Sequence, residues 1–166
     1  MNNFKFKIIF LSLLLVIGYW LLIIPEANAS GDVLPYPSYM PGHKLYRLRQ
    51  VWEKFQEYWS FGNLAQFKYH LKMANKYLVE AKTLFEYEQY LLAERALEKS
   101  NFHWQQIDAS QKKEIFQAAA SKHQAVLNKL RQELPEEILW QPEKQAAEEL
   151  KIHQLLDQAK NIREKI

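Results

Sequence analysis

The sequence predicts an all-α fold, a bundle of four to five amphipathic helices behind an extended, proline-rich N-terminal lead-in. Three observations support this fold class. Apolar residues recur at intervals of three and four in five separate stretches, the spacing that places side chains on one face of a helix. The chain holds no cysteine, so an apolar core must stabilise it without disulfides. No stretch is typical of a β-strand, and we expect none.

The first 29 residues have the layout of a secretory signal. Lys5 and Lys7 precede an apolar run from Ile8 to Ile24, and small residues follow at the positions that a signal peptidase reads, Ala27 and Ala29. We predict cleavage before Ser30. The alternative is an uncleaved membrane anchor, because about 17 helical residues reach roughly 25 Å, the short end of what spans a bilayer. Either way we expect an extracytoplasmic domain, secreted or held at the outer face of the cytoplasmic membrane.

The charge of the exported part argues against nucleic acid as a partner. Without Lys5, Lys7 and Glu26, the chain keeps 20 basic and 18 acidic residues, a formal charge of +2. Nucleic-acid-binding domains usually carry a strongly basic face. The partners that we expect are the membrane, through the N-terminal segment, and an envelope protein or an anionic polymer.

The exported part divides into three regions. Residues 30–42 are an extended lead-in, because three prolines exclude a helix there. Residues 43–107 are predicted as an aromatic-rich helical core, since 16 aromatic residues lie between Ser30 and Ile107 and two follow them. Residues 108–166, rich in Ala and Gln, are predicted as a helical hairpin packed on that core. Its apolar seams also permit self-association.

The first two helices have the clearest periodicity. Helix one is predicted from His43 to Ser60, and the side chains of its seam are interpreted as core: Leu45, Leu48, Trp52, Phe55 and Trp59. Helix two begins at Asn63, where Gln66 completes the pattern of a capping box. Its seam continues over three heptads through Leu64, Phe67, Leu71, Ala74, Leu78, Ala81 and Phe85.

The later helices are less sharply bounded. Helix three is predicted over Tyr87–Gln106, but no Gly or Pro separates it from helix two, so the break between them stays open. A second capping-box pattern, Asp108 with Gln111, precedes helix four, which Pro135 should end. Helix five is predicted to follow Trp140-Gln141-Pro142 and to run to the C-terminus. The seams are Phe116, Ala119, His123, Val126 and Leu130 for helix four, and Ile152, Leu155, Ala159, Ile162 and Ile166 for helix five.

A proline-rich motif leads into the first predicted helix. It comprises Pro35, Pro37, Pro41, His43, Leu45 and Tyr46, followed by Arg47, Leu48 and Arg49. This motif resembles the "LPDHPLYxLK" stretch of a family of bacterial extracytoplasmic domains of unknown function, with Gly42 and Lys44 in place of the usual Asp and Pro. Leu71–Leu78 is similar to the family's "ADKRL" helix, and Ala93–Lys99 to its third helix. The resemblance implies an exported helical domain at the cell envelope and brings no known activity.

Motifs for catalysis and for metal binding are missing. Four histidines fall one on each later helix, at His70, His103, His123 and His153, yet none follows a glutamate by three residues as di-iron bundles require. Glu149 and His153 are four apart and could share a metal if one helix held both. The sequence has no nucleophile elbow and no glycine cluster. We therefore expect neither an enzyme nor a cofactor or metal site.

Two surfaces remain as candidates for binding. Lys68, Lys72 and Lys76 are spaced to stack along helix two, where an anionic partner would relieve their mutual repulsion, although an ordinary solvated face explains them as well. Several tyrosines fall off the seams and suit a protein-facing surface, among them Tyr58, Tyr69 and Tyr77. We expect an interaction or structural module. The alternative is a carrier of a small ligand or metal, with a pocket lined by Trp52, Trp59 and Trp104.

Overall fold

The structure, a computed structural model, describes residues 40–140 and 148–165, which belong to one compact unit. These ranges contain five helices and two short strands: α1 Tyr46–Trp59, α2 Asn63–Glu86, α3 Tyr90–Gln105, α4 Lys113–Glu133, β1 Ile138–Trp140, β2 Glu148–Leu150 and α5 Ile152–Glu164. The all-α prediction is confirmed. The predicted signal segment and most of the predicted lead-in, including Pro35 and Pro37, lie outside the described residues.

The α2–α3 hairpin forms the centre of the bundle. The C-terminal half of α2 buries Leu78, Ala81 and Phe85 against α3, whose alanines let the two helices approach closely. A second apolar cluster lies around Trp104 at the other end of α3, where its indole packs on Phe116 with ring centroids 4.7 Å apart. From residue 67 onward the seam predicted for α2 is buried, apart from the half-buried Leu71, and it contributes to both apolar clusters of the core.

The break between α2 and α3 is a tight three-residue turn. Gln89 donates its amide to the Leu84 carbonyl at 2.9 Å, and Glu88 donates to the Phe85 carbonyl at 3.0 Å. This pair of bonds is a Schellman motif, which needs a left-handed residue at its C′ position. Glu88 occupies that position with φ 58°. Because glycine normally marks such a turn, the sequence left the break open.

The chain after α4 departs from the prediction. We expected no strand and a fifth helix directly after Pro142. Instead β1 and β2 pair antiparallel, with Ile138 opposite Leu150, and α5 begins at Ile152. The strands are three residues long, too short for an alternating pattern to emerge. Leu150 of β2 is buried in the core two residues before Ile152, so the paired strands position the start of α5 against the bundle.

The C-terminal helices fold back on the bundle. Ile152, Leu156 and Ala159 are buried against side chains of α2, α3 and α4. The packing of residues 108–166, which the sequence left undecided, is therefore intramolecular for the seam of α5. Among residues 40–140 and 148–165, no helix is long and apolar enough to cross a membrane.

A buried polar network ties α5 to α3 and α4. The Arg163 guanidinium, 2 % exposed, donates from Nε to His123 Nδ1 at 2.8 Å, from Nη1 to Asn101 Oδ1 at 2.7 Å and from Nη2 to Ser100 Oγ at 2.8 Å. Since Nδ1 of His123 accepts, its Nε2 carries the proton and donates to Asn75 Oδ1 at 2.7 Å. The network therefore requires a neutral His123.

Both predicted capping boxes are wrong. The helix that begins at Asn63 has Gly62 as its N-cap. The side-chain amide of Gln66 donates from Nε2 to the Ser60 carbonyl at 2.6 Å and does not reach back to an N-cap amide. Asp108 lies five residues before α4, where its carboxylate accepts from Ser110 and Gln111 and closes a turn. The same residue types bond locally in turns and at caps, so sequence alone does not separate the two uses.

Candidate interaction surface

Helix α1 is fastened to α2 by a cluster of polar side chains, here called the polar staple: Tyr46, Arg49 and Glu53 on α1, with Tyr69, Lys76, Tyr77 and Glu80 on α2. Glu53, 6 % exposed, is its centre. The carboxylate pairs with Lys76 and accepts from the Tyr77 hydroxyl at 2.9 Å, while Arg49 Nε donates to it at 3.0 Å. The Tyr69 hydroxyl donates to the Glu53 carbonyl at 3.1 Å.

The first turn of α1 is held at the other end of the staple. Tyr46 donates its hydroxyl hydrogen bond to Glu80 Oε1 at 2.7 Å. Glu80 is 1 % exposed and lies one helical turn beyond Lys76 on α2. The inward residues of α1 thus recur at positions 46, 49 and 53, so a three-four spacing of polar residues faces the bundle.

Burial sets the electrostatics of the staple. It lowers the pKa of Lys76, against the attraction of Glu53, and it raises the pKa of Glu80, against its hydrogen bond with Tyr46. Burial also raises the pKa of Tyr69 to about 12, with the charges of Glu57 and Glu53 adding to the rise. Glu53 and Lys76 can be buried as charged groups because each neutralises the other. Removing one of them would leave an uncompensated buried charge and destabilise the staple.

The opposite side of α1 exposes a continuous apolar surface, here called the aromatic face. Trp52 is 58 % exposed, Phe55 49 % and Trp59 66 %, and the exposed apolar surface also includes Leu45, Leu48, Val51, Tyr58, Phe61 and Leu64. The interpretation of Trp52, Phe55 and Trp59 as core is therefore wrong. The periodicity placed them correctly on one side of the helix, but that side faces away from the bundle.

The rings of the aromatic face stack along the helix. Trp52 and Phe55 have centroids 5.8 Å apart with an interplanar angle of 21°, and Phe55 and Trp59 are 5.4 Å apart at 29°. Stacked rings on one helix have few rotamers to lose when they bind a partner. A contiguous exposed patch of this kind marks an interaction surface in soluble domains.

The predicted lysine face is not preserved. Lys68 and Lys72 are exposed, but Lys76 is buried in the polar staple, so the three do not form one solvated stripe. Of the tyrosines predicted to face a partner, Tyr58 is 76 % exposed, whereas Tyr69 and Tyr77 are buried. The carboxylate that pairs with Lys76 comes from another helix, a contact that spacing within α2 cannot indicate.

Two of the four histidines form a buried pair beside the staple. His70 Nδ1 and His103 Nδ1 are 3.1 Å apart, and the His103 ring stacks on Tyr77 with an interplanar angle of 7°. One nitrogen must donate and the other accept. Burial lowers the pKa of both histidines. For His103, burial and the neighbouring His70 together lower the pKa to about 4.

The metal geometries considered from the sequence do not form. Glu149 lies in β2 and His153 in α5, so they do not share a helix, and His153 Nε2 donates to the Leu134 carbonyl at 2.9 Å. Within residues 40–140 and 148–165, no three His, Asp or Glu side chains cluster closely enough to hold a metal ion. The close approach of His70 and His103 was missed, because their helices meet only in the fold.

The three tryptophans of the carrier alternative do not line one pocket. Trp52 and Trp59 are on the aromatic face, and Trp104 is fully buried between Phe116 and the His123 ring. A cavity of about 530 Å³ lies elsewhere, between the first half of α4 and the end of α5, and none of these tryptophans lines it. The geometry therefore favours a docking surface over the proposed tryptophan pocket.

The fold and this surface define a small helical-bundle domain with an outward-facing amphipathic helix at its N-terminal side. Residues 38–137, more than half of the chain, match the family described as Domain of unknown function (DUF5667), and the chain belongs to that family. No curated protein matches the chain, and no solved structure does. The matched residues include both halves of the polar staple.

Proposed function

We propose that this chain is an exported module of the cell envelope that docks to another envelope component through the aromatic face of α1. The observation that carries the proposal is the orientation of α1. Its polar side forms the hydrogen bonds and ion pairs of the staple, so its large apolar side chains lie outside the core and are exposed. Leaving so much apolar surface in water is unfavourable, by about 25 cal/mol for each Å² that a partner would cover. A partner that covers the face recovers this free energy.

The export half of the proposal is supported by the signal-like N-terminus. Lys5 and Lys7 before the apolar run favour translocation of everything that follows it. A protease added outside spheroplasts is expected to digest a C-terminal tag on the full chain. A tag that survives until the cells are lysed would contradict export.

The docking half is tested by photo-crosslinking in living cells. Phe55 is replaced by a benzophenone amino acid, and a second strain carries the same replacement at Phe102, which is 53 % exposed on α3, outside the aromatic face. Light should link position 55 to an envelope component, protein or lipid, and leave position 102 unlinked. Equal crosslinking from both positions, or none from position 55, would overturn the proposal.

A further inference from the structure

Resting on the proposed function, we infer that the component bound by the aromatic face is the surface of an anionic lipid bilayer. Helix α1 would lie in the plane of the membrane interface, with Trp52, Phe55 and Trp59 in the boundary between headgroups and acyl chains. The other helices of the described bundle would lie on the aqueous side of α1. Two features of the structure support this occupant over a protein partner, and the length of the preceding chain is compatible with it.

The charges of α1 are divided between its two sides, and Arg49, which pairs with Glu53, is the cation on the bundle side. The acidic residues are on the bundle side, because Glu53 is the centre of the staple and Glu57 acts on the pKa values of Tyr69 and His70. Arg47 and Lys54 are exposed next to the apolar stripe. A helix with Trp, Phe and Leu on one face and Lys or Arg bordering it is the pattern of helices that bind anionic membrane surfaces.

The shape of the surface also fits a bilayer. The aromatic face is a ridge that follows α1, where Leu48 is 65 % and Trp59 66 % exposed, and it continues through Phe61 to Leu64 in the first turn of α2. Trp and Tyr rings favour the membrane interface, where an apolar body and a polar edge are both accommodated. Protein interfaces are depleted in lysine, whereas Lys44 and Lys54 border this face.

The position of α1 in the chain places it within reach of a membrane. Twenty residues, Pro25 to Lys44, separate the apolar run Ile8–Ile24 from the first residue of the aromatic face. Extended chain covers about 3.3–3.6 Å per residue, so this length can bring the face to the bilayer that the chain crosses. A retained apolar run would keep α1 at that surface.

The absence of cysteine allows a site-specific test with the full chain. A fluorophore sensitive to polarity is attached to a single cysteine introduced as Tyr58→Cys, at the edge of the aromatic face, or as Phe102→Cys, on the exposed side of α3. Each chain is reconstituted into vesicles of phosphatidylcholine with or without phosphatidylglycerol. Lipids with a nitroxide near the headgroup report contact with the bilayer.

The probe at position 58 is expected to shift to the blue and to be quenched by the nitroxide lipids, more strongly with phosphatidylglycerol, while the probe at position 102 stays in water. Adding Arg47→Gln and Lys54→Gln should reduce the ratio of docked to undocked helix roughly fivefold for each cation removed. Equal quenching with and without phosphatidylglycerol would overturn the anionic preference. If the probe at position 58 shows no more blue shift or quenching than the probe at position 102, the inference that the aromatic face binds a bilayer is wrong. Crosslinks from position 55 to a protein, together with a wet probe, would leave the proposed function standing.

Discussion

A Glu53→Ala chain is expected to release α1 from the bundle while α2 and α3 stay folded. The substitution removes the carboxylate that pairs with Lys76 and accepts from the Tyr77 hydroxyl, and both partners are buried. Removing one member of a buried ion pair costs about 3–5 kcal/mol, because the remaining charge has lost its compensation. Detachment of α1 restores water to Lys76, so the loss appears in the docking of this helix.

Amide hydrogen exchange measures this release directly. Protection should fall throughout Tyr46–Trp59 and persist in the centre of α2. A Glu57→Ala chain is the matched control, since Glu57 is exposed on the same helix. Replacing both Glu53 and Lys76 with methionine should restore much of the protection, because an apolar pair of similar size removes both members of the buried ion pair together. Unchanged exchange in Glu53→Ala would contradict the role of the staple.

Acidification is expected to destabilise the domain as the pH falls below about 6.5. The pKa values of His70, His103 and His123 are all lowered in the folded chain, so the unfolded chain binds protons first. The stabilising contribution of these neutral histidines is complete above the pKa of the unfolded chain. It is lost as the pH falls from that value through the lower pKa of the folded chain. For His103 the loss runs from 6.5 to about 4. Each histidine contributes a slope of about 1.4 kcal/mol per pH unit within its window.

Glu80 acts in the opposite direction. Burial raises its pKa, so it keeps a proton that the unfolded chain has released, and its contribution is lost as the pH rises. Urea unfolding at a series of pH values should therefore show a steeper fall in stability toward acid for a Glu80→Gln chain than for the natural sequence. A His103→Gln chain should show a shallower fall. Stability that is flat between pH 6.5 and 4 in all three chains would contradict the assignment of neutral, buried histidines.

The sequence predicts the bundle better than it predicts the surface. Side chains at three-four spacing were correctly grouped along α2 and α4, because the predicted seams of both helices pack into the two apolar clusters of the core. Helix α1 has an apolar stripe and a polar one. Which of them faces inward depends on Lys76, Tyr77 and Glu80, which lie on another helix.

The remaining errors also come from contacts that spacing does not encode. A glutamate at a left-handed position ends α2, where a glycine would have marked the turn. The pairing of Ile138 with Leu150 joins residues twelve apart through strands of three residues. The histidine pair of α2 and α3 forms because the hairpin sets the two helices side by side. Local periodicity contains none of this information, whereas the packed bundle does.

The accessibility of individual tryptophans tests the outward orientation of the aromatic face most directly. Two chains that begin at Ser30, before the described bundle, each keep one of Trp59 and Trp104, with phenylalanine at the other tryptophan positions. Acrylamide should quench the fluorescence of Trp59, 66 % exposed, several times more steeply than that of Trp104, which is fully buried. Equally weak quenching of both would show that Trp59 is packed inside the protein, and would contradict the account.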